Sequence, residues 1–432
     1  MHKSVSKSGK TATSKKNTSW LKKIGPGLIT GAADDDPSGI ATYSQAGAQF
    51  GFSMLWTIWF TYPLMAAIQI ICARIGRVSG RGLATHMRRH YPAWLLYSIV
   101  GLLLLANTIN IAADLSAMGD ALKLVAGGSS HLYAVGFGIA SILLQVFIPY
   151  SRYVNLLKWL TLALFAYVAT VFVVDVPWTE VATRAVLPHA TWKPEYVTTV
   201  VAVFGTTISP YLFFWQASQE VEEQRVEPNE KPLIMAPAQA DENFRRINID
   251  TYLGMGFSNL IAFFVILTTA VTLHLHGHTD IQNSAQAAKA LRPIAGDFAF
   301  FLFSMGIIGT GMLAIPVLAG SAAYAMSGAF NWKNSLELEP AQARKFYAVI
   351  VISILAGIAI GFTPVDPIKA LYWSAVINGV ISVPIMTVMM LMAASAQVMG
   401  RFTITGRLKF MGWLATAIMA AAVCAMFWTM AH

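Results

Sequence analysis

Charged residues are scarce, at 12% of 432 residues against 56% hydrophobic ones. A soluble globular domain carries about 25% charged residues. Over this length the deficit excludes a disordered chain, argues against a soluble enzyme and places most of the mass in lipid. Acidic residues are absent from positions 1–23, which hold seven lysines; of the net charge of +9, the rest of the chain keeps only +2. The basic character belongs to one tail and does not describe a nucleic-acid surface. Cysteine is nearly missing: Cys72 and Cys424 lie far apart in apolar runs, which argues against a disulfide framework or a thiolate metal site. A nucleophile elbow, a Walker loop, HExxH and paired CxxC are all lacking, so nothing points to an enzyme or to a bound cofactor.

What the sequence has is a series of apolar stretches of about 20 residues, the length that spans a bilayer. They fall near 26–49, 53–75, 93–118, 132–150, 156–175, 196–217, 249–273, 297–325, 346–363, 368–394 and 408–430. These predict an all-α integral membrane protein of about 11 transmembrane helices. The tail lacks the apolar core of a secretory signal and reads as cytoplasmic. With it inside, 24 of the 30 Lys and Arg fall on the inner side, among them Arg74, Arg77, Arg81, Arg88, Arg89, Arg152, Lys158, Arg225 and Arg246. The bias predicts a multi-pass protein of the cell (inner) membrane with the N-terminus cytoplasmic and the C-terminus outside.

Two spans are abnormal. The first, GPGLITGAADDDPSGIATYSQAGAQFG, carries Asp34, Asp35, Asp36 and Pro37 at its centre, and the sixth, VVAVFGTTISPYLFFWQ, carries Thr206, Thr207, Ser209 and Pro210. Proline removes an intrahelical hydrogen bond, and unpaired backbone at membrane depth is tolerated only where it lines a protein cavity. Spans 1 and 6 are corresponding members of two five-helix halves, a position that marks the binding site of secondary transporters. The expected organisation is a tail at 1–23, an inverted repeat at 24–175 (spans 1 to 5), a second at 196–394 (spans 6 to 10), and a loop with span 11 at 395–432.

A carboxylate at mid-membrane costs a few kcal/mol or more and normally faces a water-filled path. Successive helical residues diverge by about 100°, so Asp34, Asp35 and Asp36 share a pocket only if the helix unwinds, which Pro37, Ser38 and Gly39 allow. Asn107, Asn110, Asp114 and Met118 fall on one face of span 3, where Asp114 suits an ion or proton relay and the asparagines equally suit interhelical bonding. Asn378 in span 10 could line the cavity or pack. Thr206 and Ser209 add hydroxyls beside unwound carbonyls, hard oxygen donors that suit a hard cation. Glu220, Glu222 and Glu223 follow span 6, where a solvated helix end is favoured over an acidic funnel. His274, His276 and His278 form a weak metal motif after span 7.

These residues resemble those of the NRAMP-type metal transporters. The first span is similar to that family's first helix, with its Gly-Pro-Gly start and Asp-Pro-Gly-Asn break. ARIGRVSGRGLATHMRRHYP resembles the loop after its helix 2, IAADLSAMG its helix 3, and AIPVLAGSAAYAMSGAF its helix 8 motif. The resemblance covers most of 24–394 and implies a LeuT-type 5+5 inverted-repeat fold with broken helices 1 and 6, and divalent-cation transport. Residue by residue it makes Asp36 a metal ligand, with Gly39 at the family's Asn position and Thr206 and Ser209 at its Ala-carbonyl and Met positions. Tyr211 stands where the family has His, Asp114 matches its helix 3 Asp, and Ala117 replaces the Glu one turn on. Without a soft thioether the site is all oxygen and, with Gly39 in place of Asn, wider, which suits partly hydrated Mg²⁺ and also accepts Mn²⁺.

The expected function is therefore alternating-access import of a divalent metal cation, with Mg²⁺ favoured and the NRAMP-related magnesium transporter branch the implied subgroup. The metal set is Asp36, Gly39, Thr206 and Ser209; Asp34, Asp35, Asp114, Asn378 and Tyr211 line a possible ion or proton path. The alternatives are an ordinary proton-coupled Mn²⁺/Fe²⁺ transporter of the family and, from other classes, an organic-solute symporter or a membrane metal sensor. The expected partners are the cation and the bilayer; no nucleic acid and no obligate protein partner is implied.

Overall fold

The computed structural model describes residues 26–148, 161–188, 190–281 and 283–432. The lysine-rich tail, Arg152, Lys158 and the first part of the fifth expected span lie outside the described residues. Among those described there is no strand. The first expected span is two helices, α1 (Pro26–Asp34) and α2 (Pro37–Phe50), interrupted at Asp35–Asp36. A short turn over Gly51–Met54 leads to α3 (Leu55–Ser79) and then α4 (Leu83–His90). Next come α5 (Ala93–Ala126), α6 (Ser130–Phe147), α7 (Phe165–Val171) and α8 (Trp178–Val186). The sixth span is again two helices, α9 (Pro194–Thr207) and α10 (Pro210–Val226). The chain continues through α11 (Ala240–Thr272), α12 (Ala299–Phe330), α13 (Arg344–Ile360), α14 (Pro367–Ala394) and α15 (Gly406–Ala431).

Among the described residues, eight helical stretches are long and apolar enough to cross a membrane. One of them, Pro37–Ser79, joins the second half of the first expected span to the whole of the second, because the turn at 51–54 hardly interrupts it; α7 and α13 are shorter. The sixth span outruns its expected end at 217 by continuing to Val226, and α11 begins at Ala240 rather than 249. Both extensions are polar, and both are held by partners described below.

Burial separates centre from rim. The most apolar window of α9–α10 is 100% buried, whereas that of α6 is 22% buried and presents its apolar surface outward. The broken helices pack on different neighbours: α1 and α2 lie on α11, α10 lies on α3, and α9 lies on α14. The α1–α11 contact is a seam of four-residue spacing. Asp250 Oδ2 accepts a 2.6 Å hydrogen bond from the Gly27 amide, and a side chain at Gly31 would collide with the backbone of Gly254. One turn further, Ser258 reaches the end of α1. Small residues let helix backbones approach where lipid offers no hydrophobic drive for association.

Gly31→Val should therefore force the seam apart and destabilise the protein by about 1–3 kcal/mol, the usual cost of overpacking. Thermal unfolding in detergent measures this; an unchanged melting temperature would show that the seam tolerates a side chain.

Candidate metal site at the two helix breaks

At the first break Asp36 is the N-cap of α2, with Pro37 at the first helical position. Its Oδ1 accepts from the Gly39 amide at 2.7 Å and from Ser38 Oγ at 2.8 Å, satisfying donors that a helix start leaves free. Its Oδ2 points across to α10, where the Tyr211 hydroxyl lies 3.2 Å away and equally 3.2 Å from the Ala33 carbonyl at the end of α1. Tyr211 thus joins both sides of one break to the helix that follows the other.

At the second break the carbonyls at the end of α9 lose their helical partners. Ser209 Oγ donates to the Gly205 and Thr206 carbonyls at 2.8 and 2.7 Å, and Thr207 Oγ1 donates to that of Val203. Ser382 on α14 donates to the Ile208 carbonyl at 2.8 Å. The two breaks meet at Gly39 and Thr206: a Cβ on Gly39 would stand 3.3 Å from Thr206 Oγ1 and 3.4 Å from the Asp34 carbonyl. The space above Gly39 is thus bounded by a hydroxyl and a main-chain oxygen.

The three consecutive acids diverge. Ser258 Oγ lies 2.6 Å from Asp34 Oδ2 and 3.0 Å from Asp35 Oδ1, so these two face α11 while Asp36 faces α10. Ser258 was not visible as a site residue in the sequence; its only signal is the spacing Asp250, Gly254, Ser258 along α11. Asp114 on α5 is fully buried, makes no hydrogen bond to the described protein, and lies within electrostatic reach of Asp36. Asn378 on α14 is likewise buried with both amide atoms unpaired, as is Asn110. Asn107 instead bridges to α12, donating to the Leu318 carbonyl and Ser321 Oγ at 2.8 Å each. Met118 packs against Gly311 of α12 beside Pro37.

Among the described residues none of Asp34, Asp35, Asp36 or Asp114 forms an ion pair with Lys or Arg. Buried carboxylates without a cationic partner are costly and mark a path for cations or protons. No group of three or more His, Cys, Asp or Glu side chains is placed to hold a metal among the described residues. A cation here would have to be met by mixed oxygens: one carboxylate, hydroxyls and the carbonyls freed at the breaks. The three histidines after span 7 are not such a group either, and His274 Nδ1 is engaged with the Ala48 carbonyl at 2.8 Å.

The expectation of a solvated helix end at Glu220 and Glu223 is corrected. Glu220 is fully buried and paired with Arg246 at 2.5 Å; Arg246 also holds Glu223 at 2.9 Å. Arg77 of α3 lies 3.7 Å from Glu223 and 2.5 Å from Glu230. The reason is the extra length of α10, which carries its acids between α3 and the early turns of α11. Glu222 faces the other way, taking Ser335 Oγ at 2.5 Å and Arg225 at 3.2 Å.

Residues 27–429 match the family described as natural resistance-associated macrophage protein-like, Nramp. The divalent metal cation transporter MntH of Klebsiella pneumoniae (strain 342) is 24% identical over 411 residues, covering 93% of this chain and 92% of that protein. The manganese transporter of Eremococcus coleocola superposes with a TM-score of 0.72 at 17% identity, over 95% of this chain and 88% of that one. MhsT, solved with L-phenylalanine, gives 0.59 at 11% identity over 93% and 98% of the two chains, a likeness of fold alone. The architecture is the LeuT type, with broken first and sixth helices. The chain belongs to the Nramp family, integral membrane transporters of a divalent metal cation, and is not an enzyme.

Proposed function

We propose that this chain imports a hard divalent cation by alternating access, with the ion held at the junction of the two breaks by Asp36 Oδ2 and oxygens of Thr206 and Ser209. The observation that carries this reading is the meeting of Asp36, Gly39, Thr206 and Tyr211 at two unwound segments. The C-terminal ends of α1 and α9 both point into the junction, and helix C-termini carry partial negative charge. The Tyr211 O–H, donating to Asp36, holds the carboxylate toward α10. Asp114 attracts the cation from α5, and Asn378 supplies an amide from α14.

Mn²⁺ is the first reading of the cargo, because the similar proteins are named as MntH and as a manganese transporter. Mg²⁺ is a second reading, favoured by the donor set: positions 206–211 at the second break carry no sulfur or imidazole, and oxygens alone do not discriminate against Mg²⁺. Gly39 does not simply enlarge the site in this reading, since Thr206 Oγ1 borders the space that a side chain would take. The bias of Lys and Arg supports a cytoplasmic side, at the inner membrane, for the basic tail and the arginines near α4.

Asp36→Ala should abolish metal uptake into proteoliposomes while the protein still purifies as a folded species. Asp34→Asn and Asp35→Asn should be milder, because their carboxylates face Ser258. Full uptake by the Asp36 variant would remove the site assignment. Competition among Mn²⁺, Mg²⁺ and Ca²⁺ for uptake decides between the two readings.

Ser209→Met places a soft sulfur at the break and should raise Cd²⁺ uptake relative to Mg²⁺. An unchanged ratio would show that donor softness at 209 does not set selectivity.

Proton movement should be weak or absent. Where the family pattern has a titratable His and Glu, this chain has Tyr211, a phenol of ordinary pKa about 10, and Ala117, which cannot titrate. Entry is then driven by the cation gradient and the membrane potential, worth about 4.6 kcal/mol for two charges at 100 mV. A pH-sensitive dye sealed inside proteoliposomes reads this directly. Lumen acidification in step with metal entry, at clamped potential, would refute it.

A further inference from the structure

A cavity of about 190 Å³ opens on the face of the bundle that carries α4, between the start of α4, α10 and the end of α12, and shares no residue with the helix breaks. Its lining holds three arginines, Arg81, Arg89 and Arg225, against one carboxylate, Glu222. That carboxylate is already engaged by Arg225 and Ser335, and Arg225 also donates to the Asn334 carbonyl at 2.8 Å. Arg81 and Arg89 make no ion pair among the described residues. Partial burial, and then the charge of Arg89, push the Arg81 guanidinium below its ordinary pKa. Burial and the charges of Arg81, His90 and Arg89 take His86 down to about 4. The neighbouring imidazole is therefore neutral at pH 7, and the lining keeps a net charge of +2.

Two uncharged features point into the same space. Ser327 Oγ, fully buried on α12, lines the cavity and makes no hydrogen bond to the described protein. The N-cap of α4 is Gly82, which offers no side chain to its first turn; the free amides and positive end of that helix favour an anion. The net positive lining disfavours a cation here. Around it stand aromatic rings. Trp332 lines the cavity and stacks on Phe330 at 5.1 Å, and Phe330 meets Tyr97 at 5.6 Å. Phe330, Tyr97 and Trp94 are exposed on the outside of the bundle, as rings at the headgroup level of a bilayer are.

We propose that this cavity is a binding site for a phosphate-bearing anion. The Arg81 and Arg89 forks supply paired N–H donors matched to phosphate oxygens, Ser327 donates its hydroxyl, and the amino end of α4 completes the cradle. Free phosphate and the headgroup of an anionic lipid share this chemistry, and the aromatic rim favours the lipid.

The test reads binding without metal, so its outcome is independent of the transport reading. The melting temperature of the full-length protein is measured in detergent with inorganic phosphate against chloride at equal ionic strength. It is measured again in nanodiscs of phosphatidylcholine with and without phosphatidic acid. Stabilisation in at least one arm is expected; phosphate alone identifies a soluble ligand, phosphatidic acid alone a lipid. R81Q/R89Q should weaken the response by about 30-fold in apparent affinity, and S327A should weaken it less. Should the double variant fail to purify, R89Q and S327A, neither of which touches an ion pair, carry the same comparison. Stabilisation in neither arm, or stabilisation that these variants leave intact, would overturn the proposal.

Discussion

Every backbone amide and carbonyl inside a bilayer needs a partner from the protein itself, and a helix broken at mid-membrane must find those partners without a helix. The rest of the architecture answers this demand. Asp36 closes the start of α2, one hydroxyl of Ser209 serves two carbonyls of α9, and Ser382 reaches over from α14 to a third. Residues that repair the breaks also face the junction, Asp36 with different oxygens: Oδ1 on the start of α2 and Oδ2 toward α10. Structural repair and the proposed cation recognition thus draw on overlapping residues.

Acids in this protein serve two different ends, and their surroundings distinguish them. Asp34, Asp35, Asp36 and Asp114 have hydroxyl, amide or no partners, and no cationic one, among the described residues. Glu220, Glu223 and Glu230 are bound by Arg77 and Arg246. A buried ion pair adds little net stability, yet losing one member leaves an uncompensated charge costing about 3–5 kcal/mol. The paired cluster thus fixes α3, α10 and α11 to one another without competing for metal.

Much of this was legible from residues alone because the signals are local. Pro37 and Pro210 announce the breaks, since proline cannot donate; an aspartate directly before a proline is a helix cap; apolar runs of about 20 residues announce spans. What stayed hidden depends on partners distant in sequence. The burial of Glu220 follows from Arg246 on another helix, and polar residues past position 217 look like the end of a span unless that arginine is known to be there. The approach of Gly39 to Thr206 and the turn of Asp34 toward Ser258 are tertiary facts. The two faces of Asn107 as relay or as glue were equally open until Leu318 and Ser321 stood opposite it.

The seam between α1 and α11 has a mechanical consequence. Its three contacts, Gly27 with Asp250, Gly31 with Gly254, and Asp34 with Ser258, follow one another at a single helical pitch along α11. Sliding α1 by one residue would rotate all three out of register together, so no intermediate alignment retains some of them. Lifting α1 away likewise surrenders a cap, a backbone contact and a carboxylate partner in the same movement. The short helix ahead of the first break therefore keeps or loses its whole seam on α11 at once, while Tyr211 still holds its end to α10.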